Sequence, residues 1–591
     1  MILVLVTEMD NDFTFLDDLN EKQREICLSD DNIILKACPG SGKTRTLTYR
    51  LAYISKLNWP SVKLNIAITY TNRAAEEIKK RLENFDVESS IWAGTIHQFC
   101  LEYIIRPYSM YNKRLSYGYH IIDEYIKEKY VKEIVTELGM AKKVKYKNPL
   151  LFPEIYSKYI ERLEKNKEID FDSILNISYE LLSDNRFIRG DIADIIRSIH
   201  IDEYQDTNEL QYKILGQIVQ ENKGINVLFV GDIDQAIYQG IGGIAKDKNE
   251  IEKEFQIKFA EKNLDGCYRS SQRVIDYYLQ FQQEFNPIKS LSTKKDSPSF
   301  IYYNKTIKKD KVIEYIAEIV KKQLSNGVPE KEICIVAPQW GLLYPISKKI
   351  RNLLPEVNFD APDITPIKYD PMNVFFIISK LVFTEAGKDT WLRKKYASDL
   401  ISILENEYKI SLTDNVDNFL ILKYFNSVQI STNNGIKYLQ IAIEWILKQL
   451  KVDIESHEQL KKAYTDFIEK VLFRIDKYQL STDIEDFKKC FKEKSGVVIS
   501  SCHGVKGEEF TTVIALGLLK GYIPHWDLII NYSSSYCNIE SKKLLYVVCS
   551  RAKENIFLFS EQGRVTSKGD NYEITDELNR YKYNYDKEID L

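Results

Sequence analysis

The stretch Lys36-Ala-Cys-Pro-Gly-Ser-Gly-Lys-Thr44 limits what this chain can fold into more than any other. The residues before it, Asn32 to Lys36, form an apolar run of the kind that makes a buried parallel strand, and Arg45 to Ser55 has helical spacing. A tight glycine-rich turn between such a strand and helix is a cradle for phosphate. Gly40 and Gly42 present no Cβ, so backbone N–H groups can face an anion. The following helix N-terminus adds partial positive charge. Within Pro39-Gly-Ser-Gly-Lys-Thr44, Lys43 is expected to reach the β- and γ-phosphates of ATP, and Thr44 to hold Mg²⁺. Ala37 stands where the strict pattern has its first glycine. The ordinary alternative is a glycine-rich turn followed by an incidental Lys-Thr.

A second chemical signal lies in Ile199-His-Ile-Asp-Glu-Tyr-Gln-Asp-Thr-Asn208. The apolar strand expected over Ile195 to Ile201 delivers two adjacent carboxylates to its carboxyl end. Asp202 is placed to hold Mg²⁺, and Glu203 to orient and deprotonate a water. A further strand, Asn226 to Val230, leads into Gly231-Asp-Ile-Asp-Gln-Ala-Ile-Tyr238. There Gln235 is positioned to sense the γ-phosphate, with Tyr238 reaching outward. Arg269, in Leu264-Asp-Gly-Cys-Tyr-Arg-Ser270, is a candidate phosphate contact. Strand Asn65 to Tyr70 runs into a helix over Thr71 to Arg81. Tyr70 at its carboxyl end, beside Thr71, Asn72 and Arg73, can stack a base and hold a phosphate, though as a lone feature it reads as an ordinary strand-end tyrosine. Ala93-Gly-Thr-Ile-His-Gln-Phe-Cys100, with Thr95 and His97, repeats the pattern. Upstream, Leu19 to Ile26 reads as a helix. Gln23 has an amide that can pair with an adenine edge, though by itself it reads as an ordinary surface glutamine.

At 591 residues the chain is long enough for roughly three to four domains. Its net charge of −4 gives no overall basic field, so any nucleic-acid site must be a local groove. The nine cysteines are scattered without a CxxC, which argues against structural zinc and for a reduced, cytoplasmic chain. Ile2 to Val6 is too short and lacks the basic flank of a signal peptide, and no run approaches the ~20 apolar residues of a membrane span. No repeats or low-complexity linkers occur.

The blocks above, in this order, resemble the motif series of superfamily 1 DNA helicases of the UvrD/Rep/PcrA type. The series continues with Ser500-Ser-Cys-His-Gly-Val-Lys-Gly-Glu-Glu-Phe510 and closes with Leu544-Leu-Tyr-Val-Val-Cys-Ser-Arg-Ala552, spanning nearly the whole chain. The resemblance implies an α/β fold of two RecA-like parallel-sheet cores of the P-loop NTPase class, each carrying a mainly helical inserted domain. The first core is expected over 1–100 and 177–264, with its insertion at 101–176. The second is expected over 265–354 and 495–575, with an accessory insertion at 355–494 and a tail at 576–591. By resemblance, Gln23 meets adenine with Arg45 alongside. Gln235, Arg269 and Arg551 surround the γ-phosphate, with Arg551 as an arginine finger, and Glu509 lies near the ribose or γ-phosphate. Tyr70, Thr95, His97, Tyr238 and His503 line a single-stranded DNA track, and movement is 3′ to 5′.

The chain departs from the family after Tyr238. There Gly240 replaces an aromatic residue and Ile241 an arginine, removing a base-separating wedge and a phosphate contact. Two functions are therefore weighed. One is an ATP-dependent translocase on single strands and tailed duplexes, in repair, recombination or phage defence. The other is a nucleotide-gated DNA sensor that activates a partner nuclease. The segment after Glu561 is read as leaving no room for a nuclease domain, so any cutting would fall to a separate subunit. The lysines Lys461, Lys462 and Lys470 in the accessory insertion are read as a solvated helix face.

Overall fold

Most β-rich segments are short apolar runs followed by a helix, the sequence pattern of parallel strands buried on both faces. In the computed structural model these runs form two six-stranded sheets, both parallel throughout. The structure describes residues 13–587, apart from 58–61, 86, 88–90, 145–147, 239–241, 386, 388–389, 413–415, 492–494 and 567. The departures at 240 and 241 lie outside the described residues.

The first sheet comprises β1 (Ile33–Ala37), β2 (Leu64–Thr69), β3 (Ile91–Thr95), β4 (Ile196–Asp202), β5 (Asn226–Gly231) and β6 (Ala260–Leu264), in spatial order β3-β2-β4-β5-β1-β6. The second comprises β7 (Phe300–Asn304), β8 (Ile333–Ala337), β9 (Phe359–Asp360), β10 (Val497–Ser501), β11 (Phe510–Ala515) and β12 (Ala552–Phe559), in order β7-β12-β11-β8-β10-β9. This is the α/β pair of RecA-like sheets that the resemblance implies. The edge strands β6 and β9 have no counterpart in the sequence reading. β6 is Ala-Glu-Lys-Asn-Leu, whose exposed Glu261 and half-buried Lys262 pair with Lys36 (2.8 Å) and Glu25 (2.6 Å). Charged side chains of this kind suit a sheet edge.

The chain divides into two compact units. One contains both sheets: Met1–Ile96, Arg189–Ala361 and Ser495–Leu591. Its second sheet packs on a core that includes Cys334, Val336, Val513, Tyr546 and Ile556, and Tyr581, Tyr583 and Tyr585 of the terminal segment join it. Asp586 accepts from Arg273 (2.8 Å) and from the Ile301 amide (2.7 Å), so the segment read as a polar tail is tied to this core.

The other unit joins the two inserted segments, His97–Ile188 and Pro362–Lys494, into a single helical body. Arg106 donates twice to the buried Glu407 carboxylate, at 3.0 and 2.7 Å. His120 Nδ1 meets the Tyr408 hydroxyl at 2.8 Å, and Lys470 pairs with Asp123 at 2.9 Å. Lys462 pairs with Glu168, which is fully buried, and with the Tyr130 hydroxyl (2.5 Å). Lys462 and Lys470 are therefore not a solvated face. They neutralise carboxylates of the first inserted segment, while Lys461 pairs locally with Glu455 (2.5 Å). Among the described residues, no helix is long and apolar enough to cross a membrane.

Candidate functional site

The phosphate loop follows β1 at the carboxyl end of the first sheet. Ala37 is the last residue of β1 and pairs with Leu264, a strand position where a Cβ is accommodated. Gly40 and Gly42 adopt φ of +70° and +81°, in the left-handed region that glycine alone enters at little cost. A Cβ on Gly40 would lie 2.6 Å from Arg269 Cβ, and one on Gly42 would lie 2.8 Å from Gln23 Nε2. Pro39 and Ser41 are buried, and the Ser41 hydroxyl closes the turn on the Cys38 carbonyl at 2.8 Å. Gln23 is 2 % exposed, not the surface glutamine that it reads as by itself. Its Nε2 donates to the Ser41 carbonyl (3.1 Å), and its Oε1 accepts from the Asn20 amide (3.2 Å) in a helix capping box. Arg45 lies outside, donating to the Asp18 carbonyl at 3.0 Å beside the Tyr49 ring.

Thr44 Oγ1 donates to Asp202 Oδ2 across 3.4 Å, and Lys43 Nζ lies 3.6 Å from Glu203 Oε1. Glu203 has φ of +54°, an uncommon conformation for a non-glycine residue, and its carboxylate accepts from the Gln205 amide. The two neighbouring carboxyls are driven apart in acidity. Burial, then the charge of Glu203, push Asp202 well above the usual carboxylate range. Burial works against the charged form of Glu203 too, but Lys43, Lys506, the Gln205 hydrogen bond and Arg551 outweigh it and hold the group below the usual carboxylate range.

Two guanidinium groups approach the loop, Arg551 just before β12 of the second sheet and Arg269 on the segment that follows β6. Arg551, 2 % exposed, donates from Nη2 to Gln235 Oε1 (2.8 Å) and Ser550 Oγ (3.0 Å), from Nε to the Val547 carbonyl (3.0 Å), and from Nη1 to the Glu508 carbonyl (3.3 Å). Burial, then the nearby Arg269, lower its pKa to about 10. Gln235 is anchored by Asp232 at 2.7 Å. Arg269 donates to Glu509 (2.8 Å) and to the Ser550 carbonyl (2.9 Å), and the neighbouring Tyr268 amide donates to the Gly40 carbonyl (2.8 Å).

A separate cluster of rings lies at strand ends of the same unit. Tyr70 and Tyr238 stack with centroids 4.5 Å apart, and His503 tilts against Tyr238 at 5.7 Å. The Tyr238 hydroxyl donates to the His503 carbonyl at 3.1 Å. Thr71 caps the helix Asn72–Leu82, Asn72 Oδ1 is buried without a hydrogen-bond partner, and Arg73 forms an ion pair with Glu508. Thr95 ends β3 in register with Thr69. His97 lies in the helical unit, edge-on to Phe171 at 5.5 Å, where burial lowers its pKa to about 4.

Sequence reading missed Lys506. Its ammonium, 7 % exposed, binds Asp206, the Gln235 carbonyl (2.5 Å) and the face of Tyr238, and lies 4.0 Å from Glu203. Burial nevertheless pushes Asp206 up to about 6. A lysine in a Gly-Val-Lys-Gly turn carries no periodicity, and Asp206 is 300 residues away in sequence. Only the acidic crowd at Asp202, Glu203 and Asp206 hinted that a further cation was needed.

Comparison with known proteins adds to this geometry. Residues 22–241 match the model of an AAA domain, and residues 390–563 match that of the UvrD-like helicase C-terminal domain. The chain is 24% identical to the ATP-dependent DNA helicase PcrA of Staphylococcus epidermidis and 23% identical to that of Staphylococcus aureus. Each alignment covers 93% of this chain and 84% of the relative.

Proposed function

The chain belongs to the UvrD-like superfamily 1 helicases, and we propose that it is a DNA-stimulated ATPase that moves 3′ to 5′ on single strands. The observation that carries this reading is the bond from Arg551, beside β12, to Gln235, beyond β5, at the same site as the phosphate loop. A triphosphate seated on the loop would have Lys43 and the glycine amides on one side and the guanidinium groups of Arg269 and Arg551 on the other. Arg551 now directs its hydrogen bonds to protein acceptors. With the γ-phosphate in place it would turn them on the developing charge of the transition state. Closing and reopening that arrangement is the source of motion.

The donors fit a magnesium ion. Thr44 Oγ1 and Asp202 Oδ2 are hard oxygens 3.4 Å apart, and the raised pKa of Asp202 marks a buried carboxylate short of positive charge. Bound there, the ion would neutralise phosphate charge. Glu203 then takes the proton of the attacking water, a role for which Lys43 must leave it and turn to phosphate. Gln23 and Arg45 are proposed to frame the adenine, and Glu509 to steer Arg269.

Tyr70, Tyr238 and His503 would stack bases without regard to sequence, with Thr71, Asn72, Arg73 and Thr95 as further contacts. The orphaned Asn72 oxygen supports this assignment, because a buried acceptor without a donor is costly unless a ligand supplies one. A sensor that activates a partner nuclease is the second reading. It is favoured by Gly240 and Ile241 standing where the family carries an aromatic residue and an arginine.

The test is ATP turnover with and without single-stranded DNA, beside strand displacement on duplexes with 3′ or 5′ tails. Stimulated turnover with displacement from 3′ tails is expected. Stimulated turnover without displacement selects the sensor. Turnover indifferent to DNA would overturn both.

A further inference from the structure

The second sheet is parallel throughout, so every loop that leaves the carboxyl end of a strand starts from one edge. His503, which packs on Tyr238, follows β10 on that edge. Four strand spacings away, counted across β8, β11 and β12, the chain leaves β7 as Lys305-Thr-Ile-Lys-Lys-Asp-Lys311. At ~4.8 Å per spacing, roughly 19 Å of sheet edge separates the two.

The backbone of this loop is fixed from two sides. Asn304 Oδ1 accepts from the Thr306 and Ile307 amides, each at 2.9 Å. Gln562, just past β12, donates from its amide to the Ile307 carbonyl (2.8 Å) and from Nε2 to the Lys305 carbonyl (3.2 Å). Its own carbonyl accepts from the Lys309 amide at 2.9 Å. Lys305, Lys308 and Lys309 are exposed, and none has an ion-pair partner among the described residues. By contrast, Lys311 is taken by Glu314 at 2.9 Å, and Arg564 on the neighbouring segment by Glu561 at 2.6 Å. The run holds four lysines against one aspartate, Asp310, in a chain whose net charge is −4. Like charges on a loop that cannot spread repel one another, and a line of phosphates relieves that repulsion while releasing its own counterions.

Aromatic rings accompany the lysines. Tyr522, on the segment after β11, stacks on Tyr572, on the segment after β12, with centroids 4.6 Å apart. Trp526 lies beside Tyr572 and is 38% exposed. The Tyr572 amide donates to the Arg564 carbonyl at 3.0 Å, two residues from the Gln562 that secures the lysine loop. A basic run next to flat rings is the combination that follows a single strand without reading its sequence.

We propose that Lys305, Lys308 and Lys309 hold the backbone of single-stranded DNA that continues along this edge from the rings of Tyr70, Tyr238 and His503. The proposal rests on the stacking role given to those rings above and adds a phosphate track to it.

The test uses the full chain with Lys305→Gln, Lys308→Gln and Lys309→Gln combined. Fluorescence anisotropy on oligo-dT of increasing length is followed across a salt titration. A control with Lys295→Gln, Lys321→Gln and Lys331→Gln removes equal charge near the amino ends of β7 and β8. For a long oligomer, the slope of log K against log salt is expected to become shallower by about 2, since each single-strand phosphate contact contributes about 0.7. Affinity near 0.1 M salt should fall by about tenfold to a hundredfold. An oligomer short enough to reach only the rings should keep the parent affinity, and the control should keep the parent slope. Arginine at all three positions should restore both slope and affinity, which separates lost charge from lost folding. If Tyr70→Ala weakens binding while the triple glutamine variant keeps the parent slope at every length, the track is wrong and the ring assignment stands. An equal change in the control, or a loss confined to duplexes, would also overturn the track. If the triple variant weakens binding while Tyr70→Ala does not, the ring assignment fails and the lysine strip remains. A parent chain that does not bind oligo-dT removes both.

Discussion

Replacing Glu203 with glutamine separates two jobs that the carboxylate performs, and the structure sets the sign of each. As a general base it contributes about 10²–10⁴ to rate, or about 3–5 kcal/mol of barrier. As a charge it opposes the arriving triphosphate, because it lies 3.6 Å from Lys43 Nζ and 4.0 Å from Lys506 Nζ and occupies the cation the phosphates need. Two unit charges at such a distance interact by about 4 kcal/mol at an effective dielectric of about 20. Most of that is returned when lysine and water rearrange, leaving a net gain in nucleotide affinity of about tenfold, or about 1.4 kcal/mol. Glu203→Gln should therefore bind a fluorescent ATP analogue more tightly while turning over ATP at least a hundredfold more slowly. Equilibrium titration gives the first number and single-turnover hydrolysis the second. Because Glu203 is held below the usual carboxylate range, the base is ionised across the working pH range, and the difference between variant and parent should persist from about pH 6 to about pH 8.5. Turnover within threefold of the parent would refute the assignment and move the base to another carboxylate, with Asp206 the next candidate. Weaker nucleotide binding would refute the charge argument even with turnover lost.

Arg551→Lys should cut DNA-stimulated turnover by about 10³ or more with little change in nucleotide affinity, since an ammonium cannot reproduce the forked bonds; rapid-quench hydrolysis measures it. Tyr70→Ala should weaken binding to oligo-dT by about 1–3 kcal/mol, read by fluorescence anisotropy, while ATP affinity stays unchanged. In the helical unit, Arg106→Met strands the Glu407 carboxylate and should cost about 3–5 kcal/mol in denaturant unfolding, whereas Arg106→Met with Glu407→Met should recover most of it. Asp466 gives a pH test. Burial raises it to about 6 against the pull of Lys462 and Lys470, so the folded state binds this proton more tightly than the unfolded one. That stabilising contribution is complete below the unfolded pKa near 4 and is lost as pH rises through about 6. Asp466→Asn should match the parent near pH 4 and exceed it by about 1 kcal/mol near pH 7.5, after discounting for solvent screening. Melting curves at both values decide it.

What could be read in advance followed from local chemistry. The phosphate loop was legible because a strand, two glycines, lysine and threonine are contiguous, and Asp202 and Glu203 because they close one apolar strand. Strands β1, β2, β4 and β5 announced themselves as apolar runs, whereas β6 did not, since a charged edge strand alternates like a surface loop. The union of the two inserted segments was invisible for a related reason. Glu168 is an ordinary acidic residue until Lys462, 294 positions later, lies against it, and Arg106 becomes buried only because Glu407 does. Helical spacing reports which face of a helix is apolar, not which distant charge will be neutralised beside it. The same blindness hid Glu508. Sequence order suggests that Glu509 is the functional member of Glu508-Glu509, because the motif names it. The fold instead gives each its own cation, since successive residues on a turn point to different sides. Glu509 pairs with Arg269 beside the phosphate loop and Glu508 pairs with Arg73 at the start of the helix Asn72–Leu82, two cations 240 and 435 positions away that no local pattern could announce.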